Sequence, residues 1–273
     1  MYGISYSNPD VVLLQESGLG VSETAARTCY DSFSGSENRV IKDLESVLPD
    51  DKMLKEINDI KQSSLLDDLA WTYFHHSILE HINLTYLIRG TSRGVLQEHA
   101  RHRLQAISVR STRYTMSSLI NAFVASMDDK DFFIDKVSGF DMLVVTDKDY
   151  VKIEIGAMFD KLLYQKSKNE DFYTLAVAKS SLPLLEDYKD DKQKLYEKLQ
   201  NGKKKRNVGD AFKHIVTDNW KVDMVVTFNL RSLKNYFSLR NSGAAYFQIQ
   251  MLAKEMIKAT PEKYLDLIIK KGK

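Results

Sequence analysis

Arg101-His102-Arg103 is followed after seven residues by Ser111 and then by Arg113-Tyr114, in the stretch QEHARHRLQAISVRSTRYT. Arg101, Arg103, Arg110 and Arg113 thus share one short segment with His99 and His102. Arginine is always protonated and presents a rigid fork of donors, so such clustering is repulsive unless an anion or a carboxylate sits between the forks. Leu104, Ala106, Ile107 and Val109 thread the run, a mixture suited to partial burial rather than to a solvated basic turn. Partly buried guanidiniums need partners to offset desolvation, and a phosphorylated ligand is the simplest one.

A second set lies near the C-terminus, in FNLRSLKNYFSLRNSGAAYFQIQ. Asn229, Arg231, Asn235 and Arg240 are set there among Leu230, Leu233, Phe237 and Leu239. On one continuous helix Arg231 and Asn235 share a face, whereas Arg240, nine residues beyond Arg231 at about 100° each, points about 180° away. Such a helix serves two ligands or two subunits. The six histidines fall in FHHSILEH, QEHARHR and AFKHIV, and none of these has the HExxH or a comparable zinc spacing, so no metal site is assigned. Ser77 and Glu80 have the spacing of a capping box, which predicts a helix start and its free amides beside His75 and His76. Cys29, the only cysteine, has no activating neighbours and reads as inert packing. GxSxG, P-loop and GxGxxG patterns are missing, which removes the usual support for hydrolase, kinase and Rossmann readings.

These residues must be positioned by helices more than by a many-turned β architecture, since only four prolines and twelve glycines punctuate 273 residues. Val11–Leu14 is expected as a strand, with Ser22 capping a helix through TAARTCY. Apolar residues at helical intervals over 40–73 predict two or three helices, Ile82–Ile88 a strand, and 93–103 a helix. DMLVVTD is expected as a strand, 148–200 as amphipathic helices with lysine-rich outer faces, Asn201–Asn207 as a solvated polar loop, and Val222–Leu230 as a strand running into a helix.

Composition bounds the partners. Hydrophobic content of 43% and charged content of 28% describe an ordinary soluble globular chain, long enough for a sizeable core. A net charge of +2 is too small for a general polyanion binder, so no nucleic acid is expected. A single cysteine provides no disulfide framework and points to a reducing, cytoplasmic setting. The first residues show no basic leader, and no run of eighteen apolar residues occurs, so neither secretion nor a membrane is expected.

RHR, seven residues and Ser, here Arg101 to Ser111, resembles the signature of the flavin-dependent thymidylate synthases, the ThyX family. AARTCYD and HHSILEH upstream are similar to the family's N-terminal helix and its GHxSxxEH segment. FNLRSLKNYFSLRNSGAAYFQI downstream resembles its N-x-R-S-L-x-N-F-x-x-L-R stretch. The four segments stand in the family's order over about residues 20–250. The resemblance implies a mixed α/β (α+β) fold of the ThyX type, helix-rich with a small, mostly antiparallel sheet. It is expected as a single domain over 1–273 with a helical, lysine-rich middle region at about 120–207. It further implies a homotetramer with sites shared between subunits, in which dUMP becomes dTMP, methylenetetrahydrofolate gives the one-carbon unit, and NADPH-reduced FAD gives the hydride. No enzyme nucleophile is required, in keeping with the setting of Cys29.

Carried over position by position, the resemblance assigns Ser77, Arg101, His102, Arg103, Val109, Asn229, Arg231 and Asn235 to FAD. It assigns Glu98, Arg101, Val109, Arg110, Ser111, Thr112, Arg113, Lys213 and Arg240 to dUMP. Arg240 is the catalytic residue, pairing with the uracil and stabilising negative charge on the ring. This chain departs from the pattern where many members have Gln at Glu98 and Asn-Glu at Ser108-Val109, so that Val109 offers only its backbone. Lys213 stands for an arginine and meets phosphate as a point charge, and Gln248 stands for a glutamate. The alternatives are a nucleotide- or RNA-binding module without catalysis, which the small net charge disfavours, and a flavoprotein of the same fold with altered activity.

Overall fold

The computed structural model describes residues 8–111 and 221–270. Thr112, Arg113, Lys213, the DMLVVTD strand, the 148–200 helices, the Asn201–Asn207 loop and the lysine-rich region at 120–207 lie outside the described residues. The described chain falls into two compact units. One comprises Pro9–Arg89, Glu98–Ser108 and 224–270; the other contains Asn8, Gly90–Gln97, 109–111 and 221–223.

Four strands, β1 (Asp10–Glu16), β2 (Asn83–Ser92), β3 (Gln105–Val109) and β4 (Lys221–Asn229), form a small antiparallel sheet in the order β1-β2-β4-β3. Strict alternation explains its one-sided core: Leu84, Tyr86 and Ile88 of β2 and Met224, Val226 and Phe228 of β4 are buried, with Thr85, Leu87, Val225 and Thr227 only half-buried between them. Thr85 and Thr227 hydrogen-bond across the two strands at 2.9 Å. A register shift between Leu13 and Gln15 bends β1 and leaves Leu14 exposed.

The helices among the described residues are α1 (Gly20–Tyr30), α2 (Arg39–Asp43), α3 (Asp51–Asn58), α4 (Ser64–Trp71), α5 (Arg93–His99), α6 (Leu230–Arg240), α7 (Phe247–Ala259) and α8 (Glu262–Ile268). Ile249, Leu252, Ala253 and Met256 recur at helical spacing along α7, and this buried stripe lets it pack against β1 and α6. Tyr86 extends through the core to Thr260 at 2.8 Å, and Trp71 Nε1 donates to Asp266 O at 2.8 Å, tying α4 to α8.

The three helices over 40–73, the strand before α5 and the strand running into α6 match the sequence reading. Three expectations are corrected. Ser22 does not cap α1: Leu19 precedes the helix, and the Ser22 hydroxyl donates to Ile78 O at 2.9 Å because the site is buried against the neighbouring segment. Ser77 and Glu80 do not form a capping box, since His76–His81 is a 3-10 helix preceded by His75 and Glu80 is drawn to Arg231. The helix expected over 93–103 stops at His99, and Gln105–Val109 becomes a strand, because alternating Gln105, Ile107 and Val109 suit the open edge of β4.

Gly20 is required by proximity. A Cβ there would lie 2.0 Å from Ile57 O and 2.7 Å from Ile57 Cγ2, whereas one at Gly243 would meet nothing within 4 Å. Gly20→Ala is expected to destabilise by about 1–3 kcal/mol in urea unfolding, through overpacking of α1 on α3. Gly243→Ala is expected to leave the midpoint unchanged.

Candidate functional site

Each residue of the RHR turn is delivered by a chain reversal. α5 ends at His99, and the turn is held there by the His99 carbonyl, which accepts from His102 N at 3.1 Å and Gln105 Nε2 at 2.9 Å. Facing it, α6 begins at Asn229, whose Oδ1 accepts from Ser232 N at 2.8 Å as an N-cap, and runs unbroken to Arg240. The unbroken helix sends Arg231 to Glu80 and Arg240 to the turn, as the wheel predicts.

Arg240 is the centre of the cluster. Nε donates to His102 Nε2 at 2.8 Å, Nη1 to Glu98 Oε2 at 3.0 Å and Nη2 to the Glu98 carbonyl at 3.1 Å. Three of the five guanidinium N–H groups are therefore held by described residues, and two have no partner among them. Glu98 also accepts from Arg101 Nη1 at 3.1 Å, so one carboxylate bridges two of the clustered arginines. Arg101 is 72% exposed and Arg240 only 16%, which separates an outward fork from an inward one.

The two imidazoles are neutral. The Arg240 donor requires a lone pair on His102 Nε2, so the His102 proton sits on Nδ1. Burial holds its pKa below the ordinary value, with Arg240 and Arg101 adding to the effect and Glu98 opposing it. His99, fully buried beside Tyr236 and Phe228, is pushed down to about 4, first by desolvation and then by His102. Its Nδ1 lies 3.0 Å from the Tyr236 hydroxyl, and burial pushes that phenol up from its usual range.

The groups expected to meet FAD are open to a ligand. Ser77 and Asn235 are exposed, and with Arg103 they make no hydrogen bond or ion pair among the described residues. Arg231 is 54% exposed and holds one carboxylate, Glu80. Exposed N–H and O–H donors of these types suit the chemistry of a diphosphate-bearing cofactor. Asn229 keeps its Nδ2 donors for that role, since only Oδ1 serves the cap. Close by, Phe74 is held at φ 55°, where glycine is favoured, with His75 N donating to Leu69 O at 2.8 Å.

In the other unit Arg110 turns to Asp223, with Nη1 3.5 Å from Oδ2 and its amide donating to the Asp223 carbonyl at 2.8 Å. Gly90, at φ 76°, aims its amide at Asp223 Oδ1 at 2.9 Å. Val109 and Ser111 are exposed; Thr112, Arg113 and Lys213 lie outside the described residues. Sequence reasoning missed Asp223, Tyr236 and the side chain of His99. Tyr236 sits in the apolar stripe of α6, and its hydroxyl gave no periodic signal.

The fold and this cluster define a helix-rich α/β protein with an arginine–carboxylate–imidazole cluster. A family model described as "Thymidylate synthase complementing protein" matches residues 13–264. The chain belongs to this family, the flavin-dependent thymidylate synthases (ThyX). It is 28% identical over 255 residues to the flavin-dependent thymidylate synthase of Campylobacter jejuni (strain RM1221), covering 93% of each chain. It is 25% identical over 252 residues to that of Helicobacter pylori (strain ATCC 700392 / 26695), covering 92% of this chain and 93% of the relative. The crystal structure of thymidylate synthase X from H. pylori with FAD and dUMP shares the fold, with TM-score 0.61, 24% identity and coverage of 96% and 97%. So does the UMP/dUMP methylase PolB from Streptomyces cacaoi bound with 5-Br dUMP, with TM-score 0.53, 15% identity and coverage of 97% and 92%. No helix among the described residues is long and apolar enough to cross a membrane.

The buried neutral His99 gives a signed pH dependence. Its folded pKa lies below the unfolded value of 6.5, so the unfolded chain binds the extra proton, and the stability present above about pH 6.5 is lost as pH falls towards about 4. The loss at the lower end is on the order of 3 kcal/mol. Urea midpoints measured between these limits are expected to fall more steeply for the wild type than for His99→Gln.

Proposed function

We propose that this chain converts dUMP to dTMP, with methylenetetrahydrofolate as one-carbon donor and NADPH as the reductant of FAD. It works as one domain over 1–273, in a cytoplasmic homotetramer whose sites are shared between subunits. The observation that carries the reading is the partial engagement of Arg240. Held on three donors by Glu98 and His102, it has two N–H groups without a partner among the described residues; these meet the uracil and stabilise negative charge as it develops on the ring. Such donors act without reorganising, because the protein has already aimed them.

Ser77, Arg101, His102, Arg103, the Val109 backbone, Asn229, Arg231 and Asn235 hold FAD. When bound, FAD supplies the hydride that reduces the transferred one-carbon unit to a methyl group. Glu98 and Arg101 position the nucleotide, and Val109, Arg110, Ser111, Thr112, Arg113 and Lys213 bind its phosphate. His102, kept neutral by burial and by Arg240, donates from Nδ1 and adds no third positive charge beside the arginines.

Cys29 has no part in the chemistry. Its side chain is exposed rather than packed, unlike the sequence reading, and it makes none of the contacts of the Arg240 cluster, so no thiolate need attack the uracil. Tritium release from 5-labelled dUMP, with FAD, NADPH and methylenetetrahydrofolate present, tests the reading. Cys29→Ser is expected to retain the wild-type rate. Arg240→Lys, which loses the fork but keeps the charge, is expected to lower kcat/KM for dUMP by about 10²-fold. A colourless protein that retains no added FAD and releases no tritium would refute the assignment.

A further inference from the structure

The site is built on a buried pair that no ligand is assigned to touch. Tyr236 is fully buried in the middle of α6, four residues before Arg240, and its hydroxyl meets His99 Nδ1 at 3.0 Å. Its ring also lies edge-on against His102, with centroids 4.8 Å apart and planes at 66°. His99 is fully buried at the end of α5, and its carbonyl ties down the following turn through His102 N and Gln105 Nε2. The turn bearing Arg101, His102 and Arg103 is thus fastened to α6 twice, by the side chain of His99 and by the ring of Tyr236.

We infer that His99 and Tyr236 are positioning residues for Arg240. They hold the His102 imidazole where its Nε2 lone pair receives the Arg240 Nε–H. Resting on the function proposed above, this assigns a role to two residues given none by the resemblance, whose motif has Phe where this chain has Tyr236. Packing alone would not call for polar atoms here. A buried phenol and a buried imidazole each cost desolvation free energy, which their mutual hydrogen bond only partly offsets, and apolar side chains would fill the same space without that cost. His99 Nε2 indeed finds no partner among the described residues. What the pair adds is direction. Around it stand Phe228 of β4, Gln105 of β3, His102 and Glu98 of the turn and α5, and Arg240 of α6; of these only His102 and Glu98 touch the guanidinium.

A double-mutant cycle on the FAD-loaded chain tests this, with dUMP binding read by equilibrium dialysis beside tritium release. Tyr236→Phe keeps the ring contacts and deletes the hydroxyl; it is expected to weaken dUMP binding by about tenfold in the wild type but by less than about twofold in the Arg240→Lys background. His99→Gln, which retains a hydrogen-bonding partner for Tyr236, is expected to recover most of what His99→Leu loses. Equal losses in both backgrounds, or a fall in Tm with unchanged dUMP affinity, would overturn the positioning role. A ligand-free readout separates this from failure of the functional reading. In chain labelled with ¹⁵N at histidine, His102 is expected as the Nδ1–H tautomer in the wild type and in His99→Gln, and as a mixture in Tyr236→Phe. An unchanged tautomer in Tyr236→Phe overturns the inference even where the wild type binds dUMP, and a wild type that binds neither FAD nor dUMP overturns only the functional reading.

Discussion

Everything at this site depends on holding one guanidinium, that of Arg240, nearly buried without using up its donors. A charge with 16% of its side chain exposed cannot rely on water, so it needs partners of its own chain. Glu98 provides a carboxylate and a carbonyl, and His102 provides a neutral lone pair, which leaves two N–H groups without a partner among the described residues. Charge-assisted hydrogen bonds of this kind contribute about 1.5–3 kcal/mol each, enough to order α5, the RHR turn and α6 as one group. The sheet supports this arrangement: β2 leads into α5 and β4 into α6, so the partners are set by elements with buried apolar faces rather than by surface loops.

Electrostatic economy explains the neighbours. Two further imidazolium charges beside Arg101 and Arg240 would repel, and burial prevents this by keeping His99 and His102 neutral. The clustered arginines look excessive as a string of letters. Folded, they divide: Arg240 faces inwards on Glu98 and His102, Arg101 shares Glu98 from outside, Arg231 holds Glu80, and Arg110 holds Asp223. Of these five arginines, Arg103 alone has no carboxylate partner among the described residues. Carboxylates thus partition a positive field that would otherwise bind polyanions indiscriminately, and the forks that stay exposed fit a phosphate-bearing ligand.

Much of the fold was readable from periodicity. Alternation in β2 and β4 and helical spacing over 40–73 and in α7 are direct records of which faces are buried, and burial is local in sequence when one face of one element is involved. The failures share a different cause. Ser22 and Glu80 obeyed local capping rules, yet each is overruled by a distant partner: Ile78 O takes the Ser22 hydroxyl, and Arg231 takes Glu80. β3 was missed because a five-residue strand at the sheet edge is stabilised by pairing, which composition does not record.

By itself the sequence determined the residue types and their order: arginines, a carboxylate and imidazoles at motif spacing, on elements whose apolar period was already written in the chain. It also determined that Arg231 and Arg240 face apart, since helical geometry makes that a matter of counting. Only the tertiary structure decided which carboxylate meets which arginine, that His102 carries its proton on Nδ1, and that the buried Tyr236 hydroxyl meets His99. The physical reason is range. Periodicity encodes which side of an element is dry, whereas a hydrogen bond between residues more than a hundred positions apart is fixed to tenths of an ångström only when both elements are packed.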